Sequence, residues 1–455
     1  MAGIEISSIC KAESEEGESF MYRQVLEQLE QWKAAQKRKP LLVQGARQVG
    51  KTWALKEFGR ASFDAVAYVN FMENATVKAF FDRDLDPNRI LQVLSLQTGV
   101  NAGDSNTLVI LDEIQECPQA LTSLKMFAEV RPEVPIVAAG SLLGVALHRG
   151  VSFPVGKVEH LFMYPLTFKE YLRNADEALF KLLDAQDTEI LDAFTMRYQE
   201  HLKNYYFTGG LPEVVDTFLA THDYAAARSI QERLLYDYEH DFSKYADPIL
   251  AEKIRLVWNS TPAQLGRENK KFIYSAVKTG ARARGYEDAI RWLQDAGLVL
   301  KVNRISKPGL PLAAYEDKES FKIYLFDVGL LGAASRLDPA VLIEGNELFT
   351  EFKGALTENY VCQELVATGK VKPYYWSAEN SRGEVDFVYD TKNQIMPVEV
   401  KAEINLRSKS LRAFVEKYGL ERGLRLSLAG FDEQGWLVNM PLYATSMLPD
   451  WPLKV

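Results

Sequence analysis

The sequence predicts an α/β protein whose first part contains a parallel sheet with helices on both faces. Three short apolar runs support this prediction, at residues 41–43, 107–111 and 135–139. Short, continuously apolar runs are typical of strands that are buried on both faces, as in parallel sheets. The stretches between them predict helices with short connections, which is the strand–helix–strand order of such folds.

The connection after the first run is rich in glycine, and helix-forming residues follow it from Trp53. It consists of Gly45, Ala46, Arg47, Gln48, Val49, Gly50, Lys51 and Thr52. Glycine at both ends lets the backbone curl so that N–H groups point at phosphates, and the helix N-terminus adds a positive dipole end. In this pattern Lys51 is expected to reach the β- and γ-phosphates, and the Thr52 hydroxyl to ligate Mg²⁺. The loop therefore predicts a nucleotide site for ATP and Mg²⁺.

The second and third apolar runs also end in polar residues. The second ends in Asp112 and Glu113, and ligands of open α/β sheets lie at the carboxyl ends of the strands. We expect Asp112 to hold Mg²⁺ through water and Glu113 to polarise the attacking water. The third run ends at Gly140 and Ser141, where Ser141 is expected either to sense the γ-phosphate or to cap the next helix.

The composition is that of an ordinary globular protein. The chain has 455 residues, 47% of them hydrophobic and 25% charged, which allows two to four domains. No apolar run approaches the roughly 20 residues that cross a bilayer, and the acidic N-terminus lacks the features of a secretory signal. The scattered cysteines (Cys10, Cys117 and Cys362) and the five histidines lack metal-ligand spacing. This composition predicts a cytoplasmic protein without a zinc site.

The net charge of −9 argues against a simple nucleic-acid binder. Contact with DNA therefore needs a local basic patch, and the segment from Arg267 to Arg291 provides one. A solvated charged face is the alternative interpretation of this segment. Its basic residues include the candidate DNA contacts Lys270, Lys271, Lys278, Arg282 and Arg284. A second candidate cluster comprises Lys401, Arg407, Lys409 and Arg412.

The middle of the chain predicts helices. Apolar residues recur at helical spacing over 168–241, and the only predicted break is the helix-breaking sequence at 209–212. Residues 251–302 then predict three short helices followed by a strand, the order of a winged helix-turn-helix. Such modules contact proteins as often as DNA, so this order alone does not define a partner.

The C-terminal part predicts the layout of a metal-dependent nuclease core. A helix is predicted to start at Thr357, and strands at 372–377, 384–389, 397–401 and 423–428, with a helix at 410–418 before the last strand. Asp386 and Glu399 are expected to bind Mg²⁺ or Mn²⁺, and Glu358 could complete the shell. Lys401 is expected to stabilise or activate the nucleophile. A solvated sheet face with alternating charges is the alternative.

Several motifs together resemble those of one large prokaryotic family. They lie at 45–52, 111–115, 139–141, 164–171, 209–213, 322–330, 384–387 and 399–401. The sequence is similar to AAA-type (AAA+) ATPases that carry a C-terminal PD-(D/E)XK nuclease-like domain. The resemblance implies a P-loop AAA+ parallel sheet, then a helical and winged-helix region, then a nuclease-like α/β domain. The implied segments are a lead-in at 1–21, the AAA+ core at 22–171, a helical lid at 172–250, a winged-helix-like region at 251–345 and the nuclease-like domain at 346–455.

The same resemblance implies assembly into a ring, with a hexamer as the expectation, because a finger residue from one subunit completes its neighbour's site. The family usually has Gly-Arg at the position of Gly156 and Lys157. Lysine is a poorer bidentate partner for a γ-phosphate. Arg149 is therefore an alternative finger.

We expect ATP binding and hydrolysis coupled to binding or remodelling DNA, including branched DNA. One alternative is an ATP-dependent nuclease that cuts with Asp386, Glu399 and Lys401. Another is an ATP-switched module that docks a protein partner. A small-molecule kinase is a weaker alternative, because the chain carries long additional domains.

Overall fold

The computed structural model describes residues 21–141, 155–268, 270–344, 350–378, 383–391, 394–403 and 408–451. Arg149 and Arg407 lie outside these residues. The chain divides into two compact units, Met1–Met163 and Tyr164–Val455, which are described separately below.

The described strands of the first unit form one fully parallel, five-stranded sheet. Across the sheet, the strands lie in the order second, third, fourth, first and fifth, where each strand is numbered by its place along the chain. Two inner strands, the third and fourth along the chain, are buried along their whole length, which confirms the predicted parallel α/β sheet. The strands are β1 (Leu41–Gln44), β2 (Ala65–Asn70), β3 (Thr107–Asp112), β4 (Ile136–Gly140) and β5 (Glu159–Phe162).

Helices flank this sheet, and local sequence determines several of their ends. Asp86 begins one helix by accepting hydrogen bonds from two backbone N–H groups, and Pro87 occupies its first turn, where no N–H partner is needed. Gly99 ends that helix in the left-handed conformation. The described helices are α1 (Val25–Ala34), α2 (Lys51–Ser62), α3 (Ala75–Phe81), α4 (Pro87–Thr98) and α5 (Pro118–Val130).

The second unit begins with helices, and the prediction of a single break within 168–241 is wrong. Breaks also occur near Asp176, Asp187 and Asp223, whose carboxylates each accept backbone N–H bonds and start a new helix. Such caps satisfy N–H groups that have no partner within a helix. The helices are α6 (Phe168–Ala175), α7 (Glu177–Ala185), α8 (Thr188–Ala193), α9 (Thr195–Thr208), α10 (Pro212–Thr221) and α11 (Tyr224–Tyr245).

The next segment contains the predicted helices followed by an antiparallel pair of strands. The first of these helices is longer than predicted, with 18 residues. The strands β6 (Val299–Ile305) and β7 (Glu316–Leu325) pair with each other. The helices before these strands are α12 (Pro248–Leu265), α13 (Tyr274–Val277) and α14 (Ala283–Asp295). Two helices follow the strands, α15 (Val328–Ala334) and α16 (Pro339–Glu344).

The remaining strands join β6 and β7 in an eight-stranded mixed sheet. Strand β6 runs parallel to β8, so the segments predicted as a winged-helix-like region and as a nuclease-like domain share one sheet. The helix predicted to start at Thr357 begins at Thr350. The elements are α17 (Thr350–Ala367), β8 (Tyr374–Ser377), β9 (Glu384–Thr391), β10 (Gln394–Val400), α18 (Lys409–Tyr418), β11 (Gly423–Ser427), β12 (Asp432–Gln434) and β13 (Leu437–Pro441).

Candidate functional site

The glycine-rich loop connects β1 to α2 in a conformation that needs glycine at both ends. Gly45 has a φ of +153°, and a Cβ atom there would lie 2.2 Å from the carbonyl oxygen of Met163. Gly50 has a φ of +87° and precedes the first residue of α2. Because side chains disfavour this region of φ, both glycines are required by the backbone path. The loop therefore has the strand–loop–helix setting of a phosphate cradle.

Lys51 is buried at the N-terminus of α2 and its side chain folds back over the loop. Its Nζ donates to the carbonyl oxygens of Gly45, at 3.0 Å, and Ala46, at 2.7 Å. Burial lowers the pKa of Lys51 to about 8, against the opposing attraction of Glu113 and Asp112. A polyanion bound at the loop would favour the charged ammonium and raise this pKa again.

Thr52 and Asp112 form the pair that fits a magnesium ion. The Thr52 hydroxyl donates to Asp112 Oδ2 at 2.7 Å, and Asp112 lies at the buried end of β3 with 3% of its surface exposed. A hydroxyl and a carboxylate are oxygen donors of the kind that Mg²⁺ prefers. Because the two side chains already meet beside the loop, the residues fit the predicted ion.

Tyr68, on β2, is a member of this site that the sequence analysis missed. Its hydroxyl donates to the same Asp112 Oδ2 at 3.0 Å. Burial, and then the charge of Asp112, raise the pKa of Tyr68, so the phenol remains a donor. A tyrosine in a short apolar strand gave no indication of this role, because only the pairing of β2 with β3 brings it to Asp112.

Arg23 is a second residue that the sequence analysis missed. It lies near the start of α1 with 3% of its surface exposed. Its guanidinium donates to the carbonyl oxygen of Val49 at 2.7 Å. A buried arginine that contacts the loop backbone restrains the loop between its two glycines, and 26 residues separate the partners in sequence.

Glu113 directly follows β3 and has the left-handed backbone conformation, with φ of +52° and ψ of +45°. Its N–H donates to Asp112 Oδ1 at 2.9 Å. Gln115 Nε2 donates a short hydrogen bond to Glu113 Oε2. The candidate water-polarising carboxylate is thus held by its backbone and by a neighbouring amide.

Ser141 follows β4 and is buried. The pairing of β1 with β4 places Gly140 opposite Gln44. Ser141 therefore lies at the carboxyl ends of these parallel strands, where the phosphate loop also starts. This placement suits the predicted sensing role.

Of the two candidate fingers, only Lys157 is among the described residues. Its Nζ pairs with Glu129 Oε1 at 2.9 Å, and both side chains are about 40% exposed. Lys157 is therefore paired within its own chain.

The acids predicted as a second metal site lie among basic side chains in the second unit. Glu358 is buried and pairs with Lys270 and Lys322, and the Tyr324 hydroxyl donates to it at 3.2 Å. Although burial alone would raise it, these lysines hold the pKa of Glu358 below its usual value. Lys322 also pairs with Glu384, at 2.5 Å, and its side chain is fully buried.

Asp386 and Glu399 complete this group of charges. Burial, and then repulsion from Glu358, raise the pKa of Asp386 to about 7, and its Oδ2 accepts from the N–H of Val400 at 2.8 Å. Glu399 pairs with Lys401 at 3.0 Å.

The described residues contain no group of three or more histidine, cysteine or acidic side chains arranged to hold a metal ion. They therefore do not support the predicted second metal site at Glu358, Asp386 and Glu399. Lysine ammonium groups pair with Glu358 and Glu399, whereas Asp386 accepts the N–H of Val400.

The predicted DNA-contacting residues fall into two groups. Lys270 pairs with Glu358 and is only 13% exposed, so it belongs to the charge cluster and not to the surface. The exposed basic residues between the end of α12 and Arg291 of α14 form what we call the basic strip: Arg267, Lys271, Lys278, Arg282, Arg284 and Arg291.

Three stretches of the sequence match protein-family models. Residues 37–172 match an AAA domain, and residues 199–341 and 353–443 match two domains of unknown function, DUF8612 and DUF4143. No curated protein matches the sequence. In the described part of the chain, no helix is long and apolar enough to cross a membrane.

Solved structures with some similarity include three archaeal proteins. A Walker-type ATPase of Pyrococcus abyssi is 13% identical, with 70% of this chain and 96% of that chain covered and a TM-score of 0.45. The Orc1 protein of Aeropyrum pernix, solved in complex with DNA, is 14% identical, with 69% and 91% covered and a TM-score of 0.27. Cdc6p from Pyrobaculum aerophilum is 12% identical, with 70% and 93% covered and a TM-score of 0.27.

The family match and the loop geometry agree over the same residues. The AAA-domain match spans the phosphate loop and the Asp112–Glu113 pair, which the parallel sheet brings to one edge. Residues 37–172 are an AAA domain of the P-loop type, and the protein is an ATPase.

Proposed function

We propose that the protein binds ATP with Mg²⁺ at the 45–52 loop and couples hydrolysis to binding or remodelling DNA. The observation that carries the nucleotide part is the 2.7 Å hydrogen bond between Thr52 Oγ1 and Asp112 Oδ2. It joins the end of the phosphate loop to the end of β3, where the two motifs predicted separately from sequence meet.

The proposal gives separate tasks to Lys51, the loop backbone, the Thr52–Asp112 pair and Glu113. The ammonium of Lys51 exchanges its carbonyl acceptors for phosphate oxygens, while backbone N–H groups between Gly45 and Gly50 bind the remaining phosphate oxygens. Thr52 and Asp112 would hold Mg²⁺, which supplies positive charge for the phosphates when bound. Glu113 orients the attacking water and accepts its proton.

The basic strip supports the DNA part of the proposal. Its side chains are exposed, whereas the protein as a whole is acidic. Phosphate contacts of this kind are sequence-independent and weaken steeply with salt. They therefore suit a protein that acts on DNA shape, including branched DNA, better than one that reads bases.

The proposal includes assembly of a ring, with a hexamer as the expected size, in the cytoplasm. Lys157 would have to leave Glu129 to act on a neighbouring subunit's nucleotide. Several basic strips around one ring would add their attraction for a polyanion, which offsets the negative charge of each subunit.

Steady-state ATP hydrolysis without nucleic acid, and then with single-stranded, duplex and branched DNA, tests the proposal. Lys51→Ala is the blank. The decisive variant reverses Lys278, Arg282 and Arg284 to glutamate, matched by reversal of the exposed lysines Lys181, Lys318 and Lys370. We expect DNA to stimulate hydrolysis in the wild type and in the matched control only. The charge reversal should weaken DNA binding. It should also reduce the steepness of the plot of log binding constant against log salt concentration by about two to three.

Two alternatives give different outcomes. An ATP-dependent nuclease predicts Mg²⁺- or Mn²⁺-dependent DNA cleavage that disappears in Asp386→Ala, and the lysine pairing of the C-terminal acids argues against it. A module that docks a protein partner predicts hydrolysis indifferent to every DNA form and no gel shift at low salt.

A further inference from the structure

Gln115 contacts the carboxylate that we assign to water activation. It lies in the one-turn 3-10 helix Ile114–Glu116, which follows Glu113 directly. This turn brings the Gln115 side chain back to Glu113, where Nε2 donates to Oε2. The amide nitrogen must face Glu113, because an amide oxygen facing a carboxylate would be repelled.

The backbone and the amide together fix the two ends of the Glu113 side chain. The left-handed backbone sets the direction in which the Glu113 side chain starts. Two hydrogen bonds to the backbone groups of Glu113 hold this backbone conformation. The N–H of Glu113 donates to Asp112 Oδ1 at 2.9 Å, and the N–H of Glu116 donates to the carbonyl of Glu113 at 2.9 Å. Non-glycine residues in this conformation are frequent at functional sites, where surrounding structure maintains them.

The second amide atom of Gln115 gives an independent observation. Its Oε1 is buried and has no hydrogen-bond partner within the described ranges. Buried polar atoms nearly always have a partner, and an exception is often explained by a catalytic role or a bound water. Gln115 thus holds Glu113 with one atom and offers an acceptor to water with the other.

We propose that Gln115 is a positioning residue for ATP hydrolysis. Its Nε2 holds Glu113 Oε2, which leaves Glu113 Oε1 for the attacking water. This inference rests on the proposed role of Glu113. Gln115 acts on the base alone, because none of its hydrogen bonds in the described part of the chain is to Lys51 or Thr52.

The expected effect is on turnover and not on nucleotide affinity. A misplacement of about 1 Å at a catalytic group costs up to roughly 100-fold in rate. Gln115→Leu should therefore lower kcat about 10- to 100-fold and leave KM for ATP within about twofold. Gln115→Glu, which keeps the shape but lacks the N–H donor, should lower kcat similarly. Gln119→Leu is the matched control, because Gln119 is exposed on the first turn of α5.

A double-mutant cycle with Glu113→Gln separates positioning from a merely structural role. Single-turnover hydrolysis is measured for Gln115→Leu in the wild-type and in the Glu113→Gln backgrounds, with melting temperature and ATP affinity measured on the same samples. We expect a loss of rate in the wild-type background and no further loss in the Glu113→Gln background.

An unchanged or raised kcat in Gln115→Leu, or an equal loss in both backgrounds, would overturn the positioning role. Wild-type turnover in Glu113→Gln alone would instead overturn the proposed role of Glu113. The two failures are therefore distinguishable.

Discussion

Asp327 holds the backbone of Gly210 through a 2.7 Å hydrogen bond from the glycine N–H to Oδ2, although 117 residues separate the two. Its other oxygen, Oδ1, accepts from the N–H of Leu330 at 2.9 Å and begins α15. Gly209 has a φ of +66°, and a Cβ atom there would lie 2.1 Å from Asp327 Oδ1. Asp327 thus joins two motifs of the family resemblance, at 209–213 and 322–330, in one packing unit.

Gly209→Ala should destabilise the protein by at least about 3 kcal/mol, because the new methyl group collides with Asp327 in addition to straining the backbone. Gly435→Ala is the control. Gly435 also has a positive φ, of +57°, but no atom lies within 4 Å of its Cβ position, so only the strain of about 1 kcal/mol applies. Urea unfolding of both variants measures the difference. Equal losses of stability in the two variants would show that the close approach to Asp327 adds nothing to the cost of a side chain at Gly209.

Lys51→Ala should remove detectable ATP binding, because the ammonium is the buried cation of the phosphate loop. Lys37→Ala, at an exposed position in the same unit, should bind ATP as the wild type does. Equilibrium binding of a fluorescent ATP analogue checks both. Affinity within about threefold of wild type in Lys51→Ala would mean that the nucleotide binds elsewhere.

Asp112→Asn should raise the Mg²⁺ concentration needed for half-maximal hydrolysis by more than about tenfold, because the carboxylate that pairs with Thr52 loses its charge. ATP binding in the presence of a chelator should change little. Titration of Mg²⁺ in the ATPase assay measures the shift, with the exposed Asp64→Asn as the control. An unaltered Mg²⁺ requirement would remove Asp112 from the metal site.

Lys322→Met should destabilise the protein by about 3–5 kcal/mol, because it removes the cation that the buried Glu358 shares with the partly exposed Glu384. Adding Glu384→Gln should recover part of this loss. The exposed pair of Lys181 and Glu177 provides the control, since Lys181→Met should cost less than about 1 kcal/mol. Thermal unfolding of the variants distinguishes them, and a Lys322→Met protein as stable as wild type would contradict the charge cluster.

Glu364 should make the protein less stable as pH rises. Burial raises the pKa of this carboxyl from 4.5 to about 8. Because the pKa is higher in the folded state, its contribution is fully present below about pH 4.5 and is lost as pH rises towards 8. Glu364→Gln cannot ionise, so its melting temperature should fall less than that of wild type between pH 6 and 8. Asp327, with a pKa raised to about 6, is common to both proteins and cancels in the comparison. Parallel pH profiles would show that Glu364 is already ionised in the folded state over this pH range, which would contradict the raised pKa.

Some corrections to the sequence analysis come from information that the sequence contains. Asp176, Asp187 and Asp223 each precede a helix and cap it, and aspartate at such positions is a recognised start signal. The breaks in the helical tract could therefore have been predicted. The pairing of Lys270 with Glu358 could not, because 88 residues separate these residues and a basic run on its own predicts only a solvated face.

The sequence by itself determined the parallel sheet, the phosphate loop and the acids at the end of β3, because each depends on residues adjacent in the chain: apolar runs, glycines at fixed spacing and a strand end. Only the tertiary structure decided which of these groups meet. The contacts of Tyr68 with Asp112, of Arg23 with Val49 and of Lys322 with Glu358 join residues from separate elements. Strand pairing and burial set these distances, and they place lysines beside Glu358 and Glu399 and bring the Thr52 hydroxyl to Asp112.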